Sequence, residues 1–336
     1  MNLVRAELER LSARRFVQLM VVLLVLAFAV TAATTLAGSH KPTATELNSA
    51  RQQAVDARRS METTHQECLA RLQERSPTDT SEYFADCADL DPIRQDRLPI
   101  AADFLPGVFS FAEQAESLLH FLIAFLVMFG FLVGASYIGA DLNSGGVVNL
   151  LLWRPRRLTV LAAKLGTLLG SVLVLSLLAS VAYLATFWMI GQSAGLPGRL
   201  DDGFWRSLGA VHGRGLVLVL LASAVGFAIA TLGRHTSAAL GAVAAYAVVW
   251  ELGGRLVLEI IDVRRSDQLM LSSYIGAWLS GESRFFDPRL CAGTSGTGYC
   301  SGLYSLTWGP ALLVLVAVTG GLTAAAFAVF RRRDLI

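Results

Sequence analysis

Few side chains in this sequence have the chemistry of a catalyst. Ser136 stands in the small-residue stretch VGASYIG, but a nucleophilic serine needs a histidine at a matching depth, and no histidine follows His235. Ser136 therefore reads as a helix-packing residue, which argues against an intramembrane hydrolase. His120 lies alone in an apolar run, whereas a proton path wants several acids or histidines at mid-depth. The only lysines are Lys41 in SHKPT and Lys164 in LAAKLG, and neither follows glycine and precedes serine or threonine as a phosphate-binding loop requires. The chain is thus not expected to be an enzyme or to hold ATP. The four cysteines, Cys68, Cys87, Cys291 and Cys300, have no C-x-x-C spacing, so no metal is expected.

The densest charge lies in NLLLWRPRRLTVLAAK, Asn149 to Lys164, where Arg154, Arg156 and Arg157 surround Pro155. Burying one arginine at mid-membrane costs about 2.5–3.5 kcal/mol, and a leucine recovers only about 0.3–0.6. The arginines must therefore face water or another protein. Pro155 disfavours helix at Arg154 and suits the first turn of a helix that follows. The preceding GADLNSGGVVNLLLW offers Asp141 and Asn143 as caps and a flexible Gly145-Gly146. It could form a short helix that exposes Val147, Val148, Leu150 and Leu151, needing either the lipid interface or a peripheral protein to cover it.

The surrounding elements are membrane spans. Of 336 residues, 54% are hydrophobic and 16% charged, against about a quarter charged in soluble domains. Six apolar runs, 16–37, 114–138, 165–190, 212–232, 236–258 and 308–330, approach or exceed the about 20 residues a crossing takes. The expected fold is an all-α polytopic membrane protein with six transmembrane helices. The net charge of +2 gives no reason to expect nucleic acid as a partner. Arginine and lysine cluster in 1–15, in the segment 139–164, at Arg234 and in the tail 331–336, all on one side if the spans alternate. That side is expected to be the cytoplasm, so both termini are cytoplasmic and the protein is a multi-pass plasma-membrane protein, with a bacterial cell membrane as the expected location.

The segments 38–113, 191–211 and 259–307 then lie outside. There an oxidising compartment permits the pairs Cys68–Cys87 and Cys291–Cys300. Residues 43–75 read as a polar helix with a stripe of Leu47, Ala50, Ala54, Ala57, Met61 and Cys68, expected to pack near Tyr83 and Phe84 as an extracytoplasmic helical cap. In residues 1–15, Leu3, Val4, Leu8 and Leu11 face away from Arg5, Glu7, Glu9 and Arg10, the pattern of an amphipathic interfacial helix. Gly130-x-x-x-Gly134 and Gly166-x-x-x-Gly170 offer close helix approach, within one bundle or between subunits. Tyr183 and Trp188 suit an outer aromatic belt, and Glu251, Arg255 and Glu259, four residues apart, are expected to form an outer ion-pair ladder.

With these residues in view, the chain resembles the membrane (permease) subunits of type-2 ATP-binding-cassette (ABC) exporters. The resemblance rests on Asp141, Gly145 or Gly146, Leu150 to Leu152, Pro155 with Arg156 and Arg157, and Lys164, and on the six-span plan with its N-terminal amphipathic helix and large last outer loop. The family more often has glutamate where Asp141 stands, and its first outer loop is usually short. The resemblance implies a coupling helix seated on a nucleotide-binding ATPase subunit, with Asp141, Asn143, Val147, Leu150, Leu151, Arg154, Pro155, Arg156, Arg157 and Lys164 at the contact. It implies ATP and Mg on that partner, no cofactor on this chain, and a second permease subunit in a homodimer or heterodimer. Phe125, Met128 and Phe129 on the second span and Tyr246 and Trp250 on the fifth are the expected substrate cavity. Their character implies a hydrophobic or amphipathic cargo, a drug, antibiotic, peptide or lipid, exported by alternating access. A proton-coupled secondary transporter or channel is the alternative.

Overall fold

The computed structural model describes residues 3–74, 87, 90–92, 98–143, 157–287 and 302–332. Six helices in it are long and apolar enough to cross a membrane. They are α2 (Arg15–Ala37), α4 (Phe111–Asn143), α5 (Arg157–Ala194), α6 (Asp202–Gly233), α7 (Thr236–Ile260) and α9 (Trp308–Arg332). This is a mostly helical, multi-pass membrane architecture, with one helix on each expected apolar run. Three further helices are α1 (Leu3–Ser12), α3 (Ala44–Glu74) and α8 (Leu271–Ser280).

The centre is the pair α4 and α6. Glycine makes their approach possible: a Cβ on Gly130 would lie 2.3 Å from Ser223 Oγ, on Gly134 2.3 Å from the Ser223 carbonyl oxygen, and on Gly226 2.3 Å from that of Phe131. The first Gly-x-x-x-Gly pair thus packs within the bundle. The second does not, since a Cβ on Gly166 or Gly170 would meet nothing within 4 Å. Around the pair, Phe111, Leu119, Leu122, Phe129, Leu168, Phe187 and Phe227 form the main core. Tyr183 belongs there too, 1% exposed and against the rings of Phe28 and Phe187, while Trp188 is 42% exposed. Tyr183 is therefore a core residue and not part of the expected aromatic belt.

One end of the bundle is clasped by β1 (Phe109–Ser110) and β2 (Gly195–Leu196), a two-residue parallel pair. Ser39 Oγ accepts from Phe109 N at 2.9 Å and donates to the Ala194 carbonyl, so the ends of α2, α4 and α5 meet there. Beyond the clasp, α3 starts with a reciprocal cap: Glu46 N donates to Thr43 Oγ1, and Thr43 N donates to the Glu46 carboxylate at 2.7 Å. That amide and the Thr43 hydroxyl, which also donates to the carboxylate at 2.9 Å, hold the Glu46 carboxyl below its ordinary pKa. Ala50 and Ala54 of the small-residue stripe are buried, and Arg58 Nε donates to the Pro99 carbonyl at 2.7 Å. The Cys68–Cys87 disulfide is formed. The partner of α3 is the 3-10 turn Ala101–Phe104; Tyr83 and Phe84, like Cys291 and Cys300, lie outside the described residues.

The stretch 259–307 is more than a loop. Helix α8 is too short to cross a membrane, but Ala277 and Trp278 are buried in a second core with Leu218, Ala311 and Leu315. Trp278 Nε1 donates to the Arg214 carbonyl at 2.8 Å. An antiparallel strand pair, β3 (Glu282–Phe286) and β4 (Leu303–Thr307), follows.

Two glycines test this packing. Gly134→Ala should cost about 1–3 kcal/mol, because the new methyl meets backbone and α4 and α6 must separate. Gly166→Ala, with open space, should stay within about 0.5 kcal/mol of the parent. Thermal unfolding of both variants in nanodiscs is the check.

Candidate functional site

At the end of the bundle opposite the clasp, four segments meet in a closed knot of charge. Lys164 Nζ, on the first turns of α5, donates to Glu7 Oε2 of α1 at 2.6 Å and to Asp141 Oδ2 of α4 at 2.7 Å. Tyr137, one turn before Asp141, donates its hydroxyl to Glu7 Oε2. Arg14, between α1 and α2, bonds Asp141 Oδ1 and donates to the Ser136 carbonyl at 3.1 Å. Arg10 reaches the remaining Glu7 oxygen at 3.3 Å. The Lys164 ammonium and the Arg14 guanidinium also lie 4.9 and 5.1 Å from the centre of the Tyr137 ring.

Glu7 and Lys164 are each 1% exposed. A charge so buried is strongly unfavourable unless paired and hydrogen-bonded. Here every carboxylate oxygen of Glu7 and Asp141 has a donor, and two acids face Lys164 and Arg14 inside. The knot is electrically closed. Each residue is placed by helical spacing: Tyr137 and Asp141 are four apart on one face of α4, and Glu7 and Leu11, both buried, are four apart on α1.

Two expectations change here. Glu7 is not on the water-facing side of an interfacial helix; it is the residue by which α1 docks on α4 and α5, while Leu8 is 49% exposed and Leu11 5%. Lys164 is not at the surface available to a partner, because Glu7 and Asp141 enclose it. Asp141 is also engaged internally, Asn143 is exposed, and Arg157 opens α5. Val147, Leu150, Leu151, Arg154, Pro155 and Arg156 lie outside the described residues.

The expected ion-pair ladder does not form as such. Residues Tyr246–Gly254 run as a π-helix, whose i→i+5 bonds change which side chains align. Glu251 accordingly accepts from the Tyr246 hydroxyl, five residues back, at 2.9 Å, and from Ser272 Oγ at 2.7 Å and Ser272 N at 3.0 Å. Arg255 pairs with Asp267 at 2.9 Å, and Glu259 pairs with neither within the described residues. These bonds tie α7 to the first turn of α8 and to the turn before it.

The expected cavity residues separate. Met128 and Tyr246 line an apolar groove of about 540 Å³ between α4, α6, α7, α8 and α9, together with Phe131, Leu218 and Ile275. Phe125 packs against the main core, Phe129 faces a different cavity beside α1 and α2, and Trp250 Nε1 donates to the Leu269 carbonyl at 3.1 Å. Among the described residues no group of three or more His, Cys, Asp or Glu could hold a metal ion. His212 of α6, overlooked in the sequence beside His120, has a buried Nε2 without a hydrogen-bond partner. No protein-family model, curated protein or solved structure matches the chain.

Lys164→Met should destabilise the protein by about 3–5 kcal/mol, because it leaves Glu7 and Asp141 facing each other without their shared cation. Arg5→Gln removes only the exposed pair with Glu9 and should change stability by less than about 1 kcal/mol. Unfolding curves in matched nanodiscs measure both.

Proposed function

We propose that this chain is the membrane subunit of an exporter driven by a separate ABC ATPase, with the segment 139–164 as the place where that ATPase bears on the spans. The observation that carries the reading is the knot around Lys164. It fastens α1 to the last turn of α4 and the first turns of α5, the two helices flanking the arginine-rich segment. A push on that segment is therefore a push on a rigid three-helix corner, not on a loose loop. ATP binding can shift the spans only if the closed ATPase pair interacts better with one arrangement than the other, and a stiff corner is where such a difference is transmitted.

In this reading the knot lies on the cytoplasmic side, both termini are cytoplasmic, and α3 caps the outer face of a bacterial plasma membrane. The ATP and Mg belong to the partner. Arg154, Arg156 and Arg157 are the charged surface it meets, with Asp141 and Lys164 holding that surface from behind. A second permease subunit completes the pathway. The apolar groove holding Met128 and Tyr246 is the candidate cargo surface, and α7, in which only Ala239 is buried, is the span freest to move beside it. Its walls favour a hydrophobic or amphipathic cargo. The knot speaks against the proton-coupled alternative, since its acids are already committed to cations.

Affinity purification of the chain from its own cells should bring down an ABC ATPase, and Arg156→Glu combined with Arg157→Glu should reduce the recovered ATPase at least tenfold. Unchanged recovery with the double variant would overturn the placement of the contact.

A further inference from the structure

A second cavity, of about 420 Å³, lies between α1, α2, α4 and α5. Its size is that of a small-molecule site. Leu8 and Leu11 of α1 form one wall, Val17, Val21 and Val22 of α2 another, and Phe129, Val133, Val172 and Leu175 the depth. Polarity is graded along it. Ser12 and Gln18 stand at the junction of α1 and α2, donating to the Glu9 and Ser12 carbonyls at 3.1 Å, and the only polar side chain deeper in, Ser171, donates its hydroxyl to the Thr167 carbonyl at 2.7 Å. A cavity with a polar mouth and a long apolar depth fits an amphiphile.

The mouth also has a sign. Arg5 pairs with Glu9, Arg10 with Glu7 and Arg14 with Asp141, but Arg15 is exposed and pairs with no acid among the described residues. Arg15, Gln18 and Val22 are three and four residues apart, so the guanidinium shares the α2 face that lines the cavity. Helix α2 begins there without a side-chain cap, leaving its first amides for an anion.

We propose that this cavity is a site for an acyl chain of an anionic phospholipid, with its phosphate held by Arg15 at the start of α2. The lipid comes from the leaflet that faces α1. Because Leu8 and Leu11 flank Glu7 on the same short helix, an occupant here braces the helix that completes the knot. The site does not require the ATPase reading, only that the six apolar helices cross a bilayer.

The test is retained lipid, read by native mass spectrometry of the full chain released from nanodiscs containing equal phosphatidylglycerol and phosphatidylcholine. The wild-type protein should keep phosphatidylglycerol about fivefold over phosphatidylcholine, the preference one arginine at a membrane surface supplies. Arg15→Gln should abolish that preference. Val22→Trp, at a position already 60% exposed, should cut retention of both lipids several-fold, while Val25→Trp, exposed but outside the cavity, should leave retention unchanged. Equal retention of the two lipids by the wild type, or wild-type retention by Val22→Trp, would overturn the site. Loss of ATPase co-purification, by contrast, would leave it standing.

Discussion

The ion pair between Glu7 and Lys164 constrains everything around it. Two opposite charges withdrawn from water attract strongly, but each alone would be costly there, so neither partner can leave without the other. Since Glu7 belongs to α1 and Lys164 to α5, the pair fixes a short N-terminal helix to the body of the bundle. Asp141 and Arg14 extend the same bond to α4 and to the start of α2. Four segments thereby share one electrostatic centre, and Tyr137 seals it with its ring and its hydroxyl.

This centre explains an otherwise odd distribution of rigidity. The glycine-mediated contact of α4 with α6 lets backbone lie against backbone, and the β1–β2 clasp with Ser39 fixes the far ends of α2, α4 and α5. Those helices are held at both ends. By comparison, α7 buries little and is attached through polar bonds from Trp250 and Arg255 to the turn before α8 and from Glu251 to the first turn of α8. In the exporter proposed above, a bundle with one tightly fastened side and one lightly packed span, separated by an apolar groove, would supply the parts for a change of access. Packed interfaces tend to switch between discrete arrangements instead of deforming smoothly.

The spans were legible because each needs a long apolar run and little else. Their observed bounds extend the runs, most of all in α5 and α6, since helices continue past the hydrocarbon where polar residues such as Asp201 cap them. The Cys68–Cys87 pair was legible because the first outer loop holds an even number of cysteines, one pair. What escaped was partnership across the sequence. Glu7 looked like one more charge on a polar face, yet its place four residues before Leu11 put it on the buried side of α1; that, and a lone lysine beside a span, were the available signals. The ladder failed because its members found partners elsewhere, Glu251 on Tyr246 and Ser272 along the π-helix and Arg255, on the regular helix beyond it, on Asp267, which no spacing of charges reveals. Helix α8 escaped because ten residues are too few to stand out as a span, and its burial depends on Trp278 and Ala277 finding α6 and α9.

A double-mutant cycle on Glu7→Gln and Lys164→Met tests the central bond most directly, with unfolding free energies measured in nanodiscs. A coupling of at least about 2 kcal/mol is predicted, the double variant being less damaged than the sum of the singles, since each single change strands a buried charge. Effects that add to within about 0.5 kcal/mol would contradict it.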